Sequence, residues 1–169
     1  MHTIVVDSLT FLIEMFESVH VIPSTNTMSA WGHYAQFYKN LMQKYVAESN
    51  KNVIFTGHTR KDLNETTMSY ESKVPVKGSL ANNGIESYFS TVVATKKVPI
   101  KNLVDYENDM LHISEEDEML GYKHVFQTRL TKETVGERIR SPMGMFSKEQ
   151  TYIDNDAQML LDYLHEYYD

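Results

Sequence analysis

The chain has 169 residues, of which 41% are hydrophobic and 23% charged, enough for one domain with a core and too few for two ordinary domains. It has no cysteine, which excludes disulfides and thiolate metal sites. A net charge of −7 argues against a broad basic face for duplex DNA, although it allows a local basic loop. No apolar stretch approaches the roughly 20 residues of a membrane-spanning helix. We therefore expect one domain over 1–169 that makes no contact with membranes.

The first predicted elements form a strand followed by a helix. Residues 3–6 are a β-branched run typical of a buried strand, and residues 8–17 carry apolar side chains on one helical face. Residues 18–29 lack periodicity and are rich in turn and capping residues, which predicts a loop.

A long helix over residues 30–48 is the clearest element, with Ser29 as its expected N-cap. Its apolar stripe consists of Trp31, Tyr34, Ala35, Tyr38, Leu41, Met42, Tyr45 and Val46. Residues 52–58 then read as a second short apolar strand. Two buried strands joined by a helix predict a βαβ crossover, and hence an α/β fold with a parallel sheet.

The middle of the chain has weaker patterns. Residues 60–78 are polar and predict a long loop with an extended piece at 69–76. Residues 79–88 suit a short helix, and residues 89–95 suit a third core strand.

The last third is expected to mix strand, loop and helix. The acidic run at 115–118 is interpreted as a solvated segment within 97–120, because its carboxylates have no ligand spacing. Residues 121–132 alternate like a half-exposed strand, and residues 135–146 form a loop punctuated by glycine and proline. A C-terminal helix over 155–169 completes the chain, and its expected buried residues are Ala157, Leu160, Leu161, Leu164 and Tyr168.

Polar groups stand where the first two predicted strands end. Asp7 and Ser8 close the first strand, and Thr56, Gly57 and His58 close the second. Ligands of parallel sheets bind at the carboxyl ends of strands, where a carboxylate can hold Mg²⁺ and a neighbouring polar group can sense a phosphate. Two simpler interpretations stay open: Asp7 as the N-cap of the next helix, and His58 as a cap of its strand through a backbone hydrogen bond.

The order of the segments VVDSLTFL, NVIFTGHTRKD, KGSLANNGIESYFSTVV and KHVFQTRLTKETVGERIRSP resembles the core of RecA-like P-loop ATPases. The resemblance is greatest to the phage-encoded type linked to recombination, and it covers about residues 3–146. It implies a mainly parallel sheet flanked by helices and incomplete at its N-terminal side, with ATP and Mg²⁺ as cofactors. It also implies an oligomer that binds single-stranded DNA in the cytoplasm, that of the bacterial host if the protein is phage-encoded.

The resemblance assigns roles around the nucleotide. Asp7 looks like the Walker B carboxylate that holds the Mg²⁺-bound water, with Ser8 beside it. His58 falls where the family has a residue, commonly glutamine, that contacts the γ-phosphate. Arg129 and Lys132 look like basic residues that reach a neighbouring subunit's phosphates, where positive charge stabilises the transferring group. Their alternative is a strand end with solvated basic side chains.

Two loops are similar in position to the family's DNA-binding loops. The first is 18–29 and the second is 60–78, which contains Lys61, Tyr70, Lys73 and Lys77. Lysines that contact phosphates and a tyrosine that stacks on bases suit single-stranded DNA. The alternative is an ordinary polar loop.

The chain contains no GxxxxGK[ST] loop, and the family's catalytic glutamate, which precedes the Walker B strand, is absent too. We therefore expect no ATP hydrolysis by this polypeptide alone. It is interpreted as the C-terminal part of a split recombination or annealing ATPase, completed by a separate Walker A half or by homologous subunits. The other interpretations are a truncated piece, or a noncatalytic module that binds single-stranded DNA or a protein. An open sheet edge, which promotes association, is expected in the split protein.

Overall fold

The structure is a computed structural model that describes residues 2–169. The contacts of the chain divide it into two compact units, one ending at Tyr88 and the other running from Phe89 to Asp169. Helices and strands occur in both units, which confirms only that the fold mixes the two. Over residues 2–169, none of the helices combines the length and the apolar character that crossing a membrane requires.

The first unit begins with a parallel strand–helix–strand arrangement. Its elements are β1 (Thr3–Val6), α1 (Leu9–Phe16), α2 (Thr27–Asn40) and β2 (Asn52–Phe55). Strand β1 pairs with β2 in parallel, with Thr3 opposite Asn52 and Val6 opposite Phe55. Both helices lie between the two strands in the sequence, so the predicted crossover is confirmed.

Strand β1 is not buried, contrary to the prediction. Ile4 and Val5 are 45% and 59% exposed. Within residues 2–169, β1 pairs with β2 alone, so no second neighbour covers its outer edge. The β-branched run therefore specifies the extended conformation but not the burial.

The predicted loop at 18–29 is non-helical over 22–26 and helical at its two ends. Helix α1 continues into a π-helical turn, Glu17–Val21, and α2 begins at Thr27. The N-cap of α2 is Asn26, whose Oδ1 accepts the Ser29 N–H at 3.1 Å, so the prediction of Ser29 as the cap is wrong. Ser29 is three positions after Asn26, the spacing at which a capping side chain reaches a free backbone donor.

Helix α2 supplies the core of the first unit. Tyr34 and Tyr38 are fully buried, with ring centroids 5.0 Å apart. The Tyr38 hydroxyl donates to the carbonyl of Leu12 on α1 at 2.8 Å. Most of the predicted stripe is at least partly buried, but Tyr45, in the π-helical continuation Leu41–Val46, is 63% exposed.

The predicted polar loop at 60–78 contains an antiparallel hairpin. Strand β3 (Arg60–Asn64) pairs with β4 (Ser69–Lys73), with Arg60 opposite Lys73. The Asn64 side chain accepts the N–H groups of Thr66 and Thr67, which fixes the turn. Two short 3₁₀ helices, Gly78–Asn82 and Ile85–Tyr88, follow where one short helix was predicted.

The second unit is built on an antiparallel sheet of order β5-β6-β7. Its elements are β5 (Ala94–Pro99), α3 (Glu115–Leu120), β6 (Tyr122–Gln127), β7 (Tyr152–Asp154) and α4 (Ala157–Tyr168). The expectation of a mainly parallel sheet is therefore wrong, since only β1 and β2 pair in parallel among the described strands. The strand predicted at 89–95 begins later, and β7 was not predicted.

Helix α4 packs on a core of Met110, Met145, Phe146 and Ile153. The ring of its Tyr163 stacks on Phe146 at 5.2 Å between centroids. The α4 residues against this core are Met159, Leu160, Tyr163 and Leu164. Ala157 and Tyr168 are exposed, so the buried face of α4 is rotated by part of a turn from the predicted one.

The acidic run at 115–118 forms the start of α3. This helix has no buried residue, which agrees with the prediction of a solvated segment.

Candidate functional site

The ends of β1 and β2 meet through the side chains of Asp7 and Thr56. The Thr56 hydroxyl donates to Asp7 Oδ1 at 2.6 Å. The backbone fixes the pair, because the Thr56 N–H donates to the Val6 carbonyl at 3.1 Å and the Leu9 N–H donates to the Thr56 carbonyl at 2.8 Å. The parallel register thus brings together the polar ends of the two predicted strands.

Ser8 has a capping role at the start of α1. Its Oγ accepts the Phe11 N–H at 3.3 Å, and the residue is only 4% exposed. The cap of α1 is therefore Ser8 and not Asp7, so the capping alternative for Asp7 is wrong. Asp7, joined to Ser8 by a cis peptide bond, is an exposed residue.

The backbone of His58 is tied to α1. Its N–H donates to Thr10 Oγ1 at 2.9 Å, so the backbone contact considered for His58 is present in the structure. The ring meets Phe11 edge to face at 5.5 Å between centroids. His58 itself is exposed, which leaves its imidazole accessible to a ligand.

Gly57 joins the end of β2 to the base of the hairpin. A Cβ added to Gly57 would lie 3.0 Å from Cγ2 of Val74, just after β4. The Val74 N–H donates to Glu86 Oε1 at 2.6 Å, and both residues are buried. The strand end, the hairpin base and the second 3₁₀ helix are therefore packed against one another within the first unit.

One face of the hairpin presents a cation over an aromatic ring. The Lys61 ammonium lies 4.8 Å from the centroid of the Tyr70 ring, within the range of a cation–π contact. Leu63 stands opposite Tyr70 in the register, and both side chains are exposed. This face combines positive charge, an accessible ring and apolar surface.

The two other residues predicted to contact DNA are Lys73 and Lys77. Each forms an ion pair with a carboxylate. The Lys73 ammonium lies 3.6 Å from Glu71 Oε2, and the Lys77 ammonium lies 2.5 Å from Glu17 Oε1. Each carboxylate offsets the charge of its lysine and so reduces the attraction of that lysine for a phosphate. Of the four predicted DNA-binding residues, Lys61 and Tyr70 lie together and the two other lysines are engaged.

Arg129 and Lys132 lie in the second unit, just after β6. Arg129 Nη1 donates to the Phe146 carbonyl at 2.8 Å, and Lys132 is exposed. The buried Gln127 side chain donates to the Arg129 carbonyl at 2.7 Å and to Thr134 Oγ1 at 2.8 Å. The Gln127 side chain thus fixes the backbone of the segment that carries both basic residues.

The residues near Asp7 fit one kind of metal site. Over residues 2–169, no three His, Asp or Glu side chains converge as a metal-binding group. Magnesium at nucleotide sites is commonly bound by one or two carboxylates, with water and phosphate oxygens as the other ligands. Asp7 fits such a site as its protein carboxylate, whereas the Ser8 oxygen is buried and committed to the helix cap.

Two hydroxyl groups of this site, those of Thr56 and Thr10, were not predicted to have a role. The only feature of the sequence that pointed to Thr56 was its position directly after β2, where the parallel register puts it beside Asp7. Thr10 was missed too, because nothing in a helical pattern indicates a hydroxyl that accepts the His58 N–H.

The chain matches no protein-family model, no curated protein and no solved structure. Its function is therefore inferred from the contacts of its own residues. The two that matter most are the Asp7–Thr56 hydrogen bond and the Lys61–Tyr70 contact.

Proposed function

We propose that this chain forms part of a RecA-like, ATP-binding protein of DNA recombination or annealing. It supplies the Walker B carboxylate, a phosphate-sensing residue and DNA-binding elements, and a partner segment supplies the GxxxxGK[ST] loop. The observation that carries the proposal is the hydrogen-bonded pair Asp7–Thr56 at the carboxyl ends of two parallel strands. This is the edge at which open α/β sheets bind their ligands.

Asp7 is suited to hold a hydrated magnesium ion. Its Oδ1 is oriented by the Thr56 hydroxyl, and the residue is exposed. Bound Mg²⁺ neutralises phosphate charge and orients the phosphate chain. An oriented and accessible carboxylate is what such an ion requires of the protein.

His58 is suited to report the state of the phosphate. Its backbone is anchored to Thr10 while its ring is exposed. Gly57, the preceding residue, packs directly on Val74 at the base of the hairpin. This contact links the strand end, which we propose meets the nucleotide, to the hairpin, which we propose binds DNA.

The outer edge of β1 is suited to a partner. Ile4 and Val5 are exposed, and within residues 2–169 the strand pairs with β2 alone. An exposed apolar edge strand is a template for pairing with another strand. A Walker A half or a homologous subunit would cover it, and Arg129 and Lys132 would act on a neighbour's phosphates.

The proposal is tested by mixing the chain with the product of the reading frame immediately upstream. We expect hydrolysis of ATP that is stimulated by single-stranded DNA in the mixture and absent from each protein alone. If that product contains a GxxxxGK[ST] loop and the mixture still hydrolyses no ATP, the proposal is wrong.

A second candidate function is a noncatalytic module that binds single-stranded DNA. The Lys61–Tyr70 pair on the exposed hairpin face favours it, since a ring can stack on a base while the ammonium contacts a phosphate. The matched control is Tyr45, which is also exposed and has Lys44 over its ring at 5.7 Å, on a helix. Tyr70→Ala should weaken the binding of a labelled oligo-dT without ATP, and Tyr45→Ala should not. Equal affinities of the two variants would contradict this function.

A further inference from the structure

The first unit contains a cavity with a volume of about 340 Å³. One wall is the outer face of α2, and the other is the pair of short 3₁₀ helices at 78–88. Its volume falls within the range of roughly 300–1,000 Å³ that is typical of sites for small molecules. None of its lining residues belongs to the proposed nucleotide or DNA elements.

The α2 wall combines open space with polar groups. Gly32, Ala35, Gln36 and Lys39 follow the i, i+3, i+4, i+7 spacing that places side chains on one helical face. No atom lies within 4 Å of a Cβ added at Gly32, so the glycine leaves that part of the cavity open. Lys39 provides an ammonium at the other end of the same stripe. Gln36 provides an amide there, and its Nε2 also donates to Asn40 Oδ1 at 2.7 Å.

The charge of the lining is positive. Lys39 is the charged residue of the lining, and the nearby carboxylate of Glu86 is buried behind Gly84. Over residues 2–169, the Lys39 ammonium forms no ion pair. On a chain with a net charge of −7, an unpaired ammonium above a concave surface selects an anionic group.

The second wall provides hydroxyl and amide groups. Ser79, Asn83 and Tyr88 line it, and each side chain can both donate and accept hydrogen bonds. Gly84 has a φ of +74°, and a Cβ added there would lie 2.9 Å from Glu86 Oε2. This wall is therefore kept in place by a position that only glycine fits easily.

We propose that the cavity binds a small hydroxylated organic anion, such as a sugar phosphate or a sugar acid. Its phosphate or carboxylate pairs with Lys39, and its hydroxyls bond to Gln36, Ser79 and Asn83. The size of the cavity, the unpaired ammonium of Lys39 and the hydroxyl and amide groups of the lining support this class of ligand.

The proposal is tested by titrating the full chain and following its backbone amide resonances by NMR. The probes are ribose 5-phosphate and gluconate, with uncharged ribose for comparison. We expect saturable changes at residues 32–39 and 79–88 with at least one anion, and at least roughly tenfold weaker binding of ribose. No response to either anion, or an equal response to ribose, would overturn the proposal.

Two variants identify the cavity as the binding site. Lys39→Gln should weaken binding by roughly tenfold, whereas Lys51→Gln, which removes an exposed lysine outside the lining, should leave it unchanged. Gly32→Leu should abolish binding, because its side chain fills the space and leucine favours the helix. If Lys39→Gln binds as the unaltered chain does, the site is wrong, whether or not Gly32→Leu folds.

Discussion

The hydroxyl of Thr56 donates a hydrogen bond to the carboxylate of Asp7 across two parallel strands, with 2.6 Å between the two oxygens. The contact spans 49 positions of the sequence and depends on the register that sets Val6 opposite Phe55. It orients an exposed carboxylate at the carboxyl end of β1. The inferred function depends on this orientation, since a carboxylate that is free to rotate binds a hydrated metal less well.

Removing the Thr56 hydroxyl should lower the stability of the first unit. Thr56→Val keeps the shape of the side chain but leaves Asp7 without its donor, so we expect a loss of about 0.5–1 kcal/mol in the free energy of unfolding by urea. Thr66→Val, in the exposed hairpin turn, is the control and should change the same quantity by less than about 0.5 kcal/mol. Equal effects of the two substitutions would show that the contact contributes nothing.

The cap of α2 can be tested by two substitutions three residues apart. Asn26→Ala should destabilise the protein by about 1 kcal/mol, because the Ser29 N–H loses its acceptor. Ser29→Ala should cost less than about 0.5 kcal/mol, since this exposed side chain has no capping role. A larger loss of stability in Ser29→Ala than in Asn26→Ala, measured by urea unfolding, would show that Ser29 is the cap after all.

Alkaline pH should destabilise the first unit through its buried tyrosines. Burial, and then the neighbouring Tyr34, raise the pKa of Tyr38 above its usual 10.0, and burial raises that of Tyr34. Because the folded chain keeps these protons longer than the unfolded chain, their contribution to stability is complete below about pH 10 and is lost as the pH rises above it.

The measurement is the midpoint of urea unfolding between about pH 8 and 11. Tyr38→Phe removes one of the two titrating groups, so the midpoint should fall less steeply with rising pH. At neutral pH the variant should lose about 1 kcal/mol of the free energy of unfolding, because the hydrogen bond to the Leu12 carbonyl is missing. Tyr168→Phe, at an exposed position, is the control. A decline as steep in Tyr38→Phe as in the unaltered chain would contradict the assignment.

Two glycines should respond to alanine with opposite signs. Gly84→Ala places a side chain at a φ of +74° and 2.9 Å from a buried carboxylate oxygen, so we expect a loss of about 1–3 kcal/mol. Gly32→Ala adds a methyl group in open space within α2 and should stabilise by about 0.5–1 kcal/mol. Thermal unfolding of the two variants checks both signs, and a stabilised Gly84→Ala would show that the turn is not constrained.

The parts of the fold that could be predicted are those with a clear local pattern of side chains. Strand β1, helix α2 and strand β2 were located because their patterns are long or strongly β-branched. The extended piece predicted at 69–76 corresponds to β4, SYESK. Strand β3, RKDLN, and its pairing with β4 were not predicted, because its side chains are mainly polar and the two strands pair through their backbones. Strand β7 has three residues, too few for any period to emerge.

The candidate site was predictable in its backbone and less so in its side chains. Asp7 and His58 follow from the rule that parallel strands bind ligands at their carboxyl ends. The ion pair between Lys77 and Glu17 joins residues 60 positions apart, and no local pattern indicates such a pair. Likewise, only the hairpin register shows that Lys61 and Tyr70 lie on one face.

The assignment of Asp7 is tested most directly by ATP hydrolysis in the mixture of this chain with the upstream product, if that product carries the proposed GxxxxGK[ST] loop. Asp7→Asn keeps an acceptor for Thr56 but removes the charge, so we expect the DNA-stimulated rate to fall by roughly a hundredfold. Asp105→Asn, an exposed aspartate of the second unit, should leave the rate unchanged. A rate in Asp7→Asn equal to that of Asp105→Asn would contradict a magnesium-binding role for Asp7.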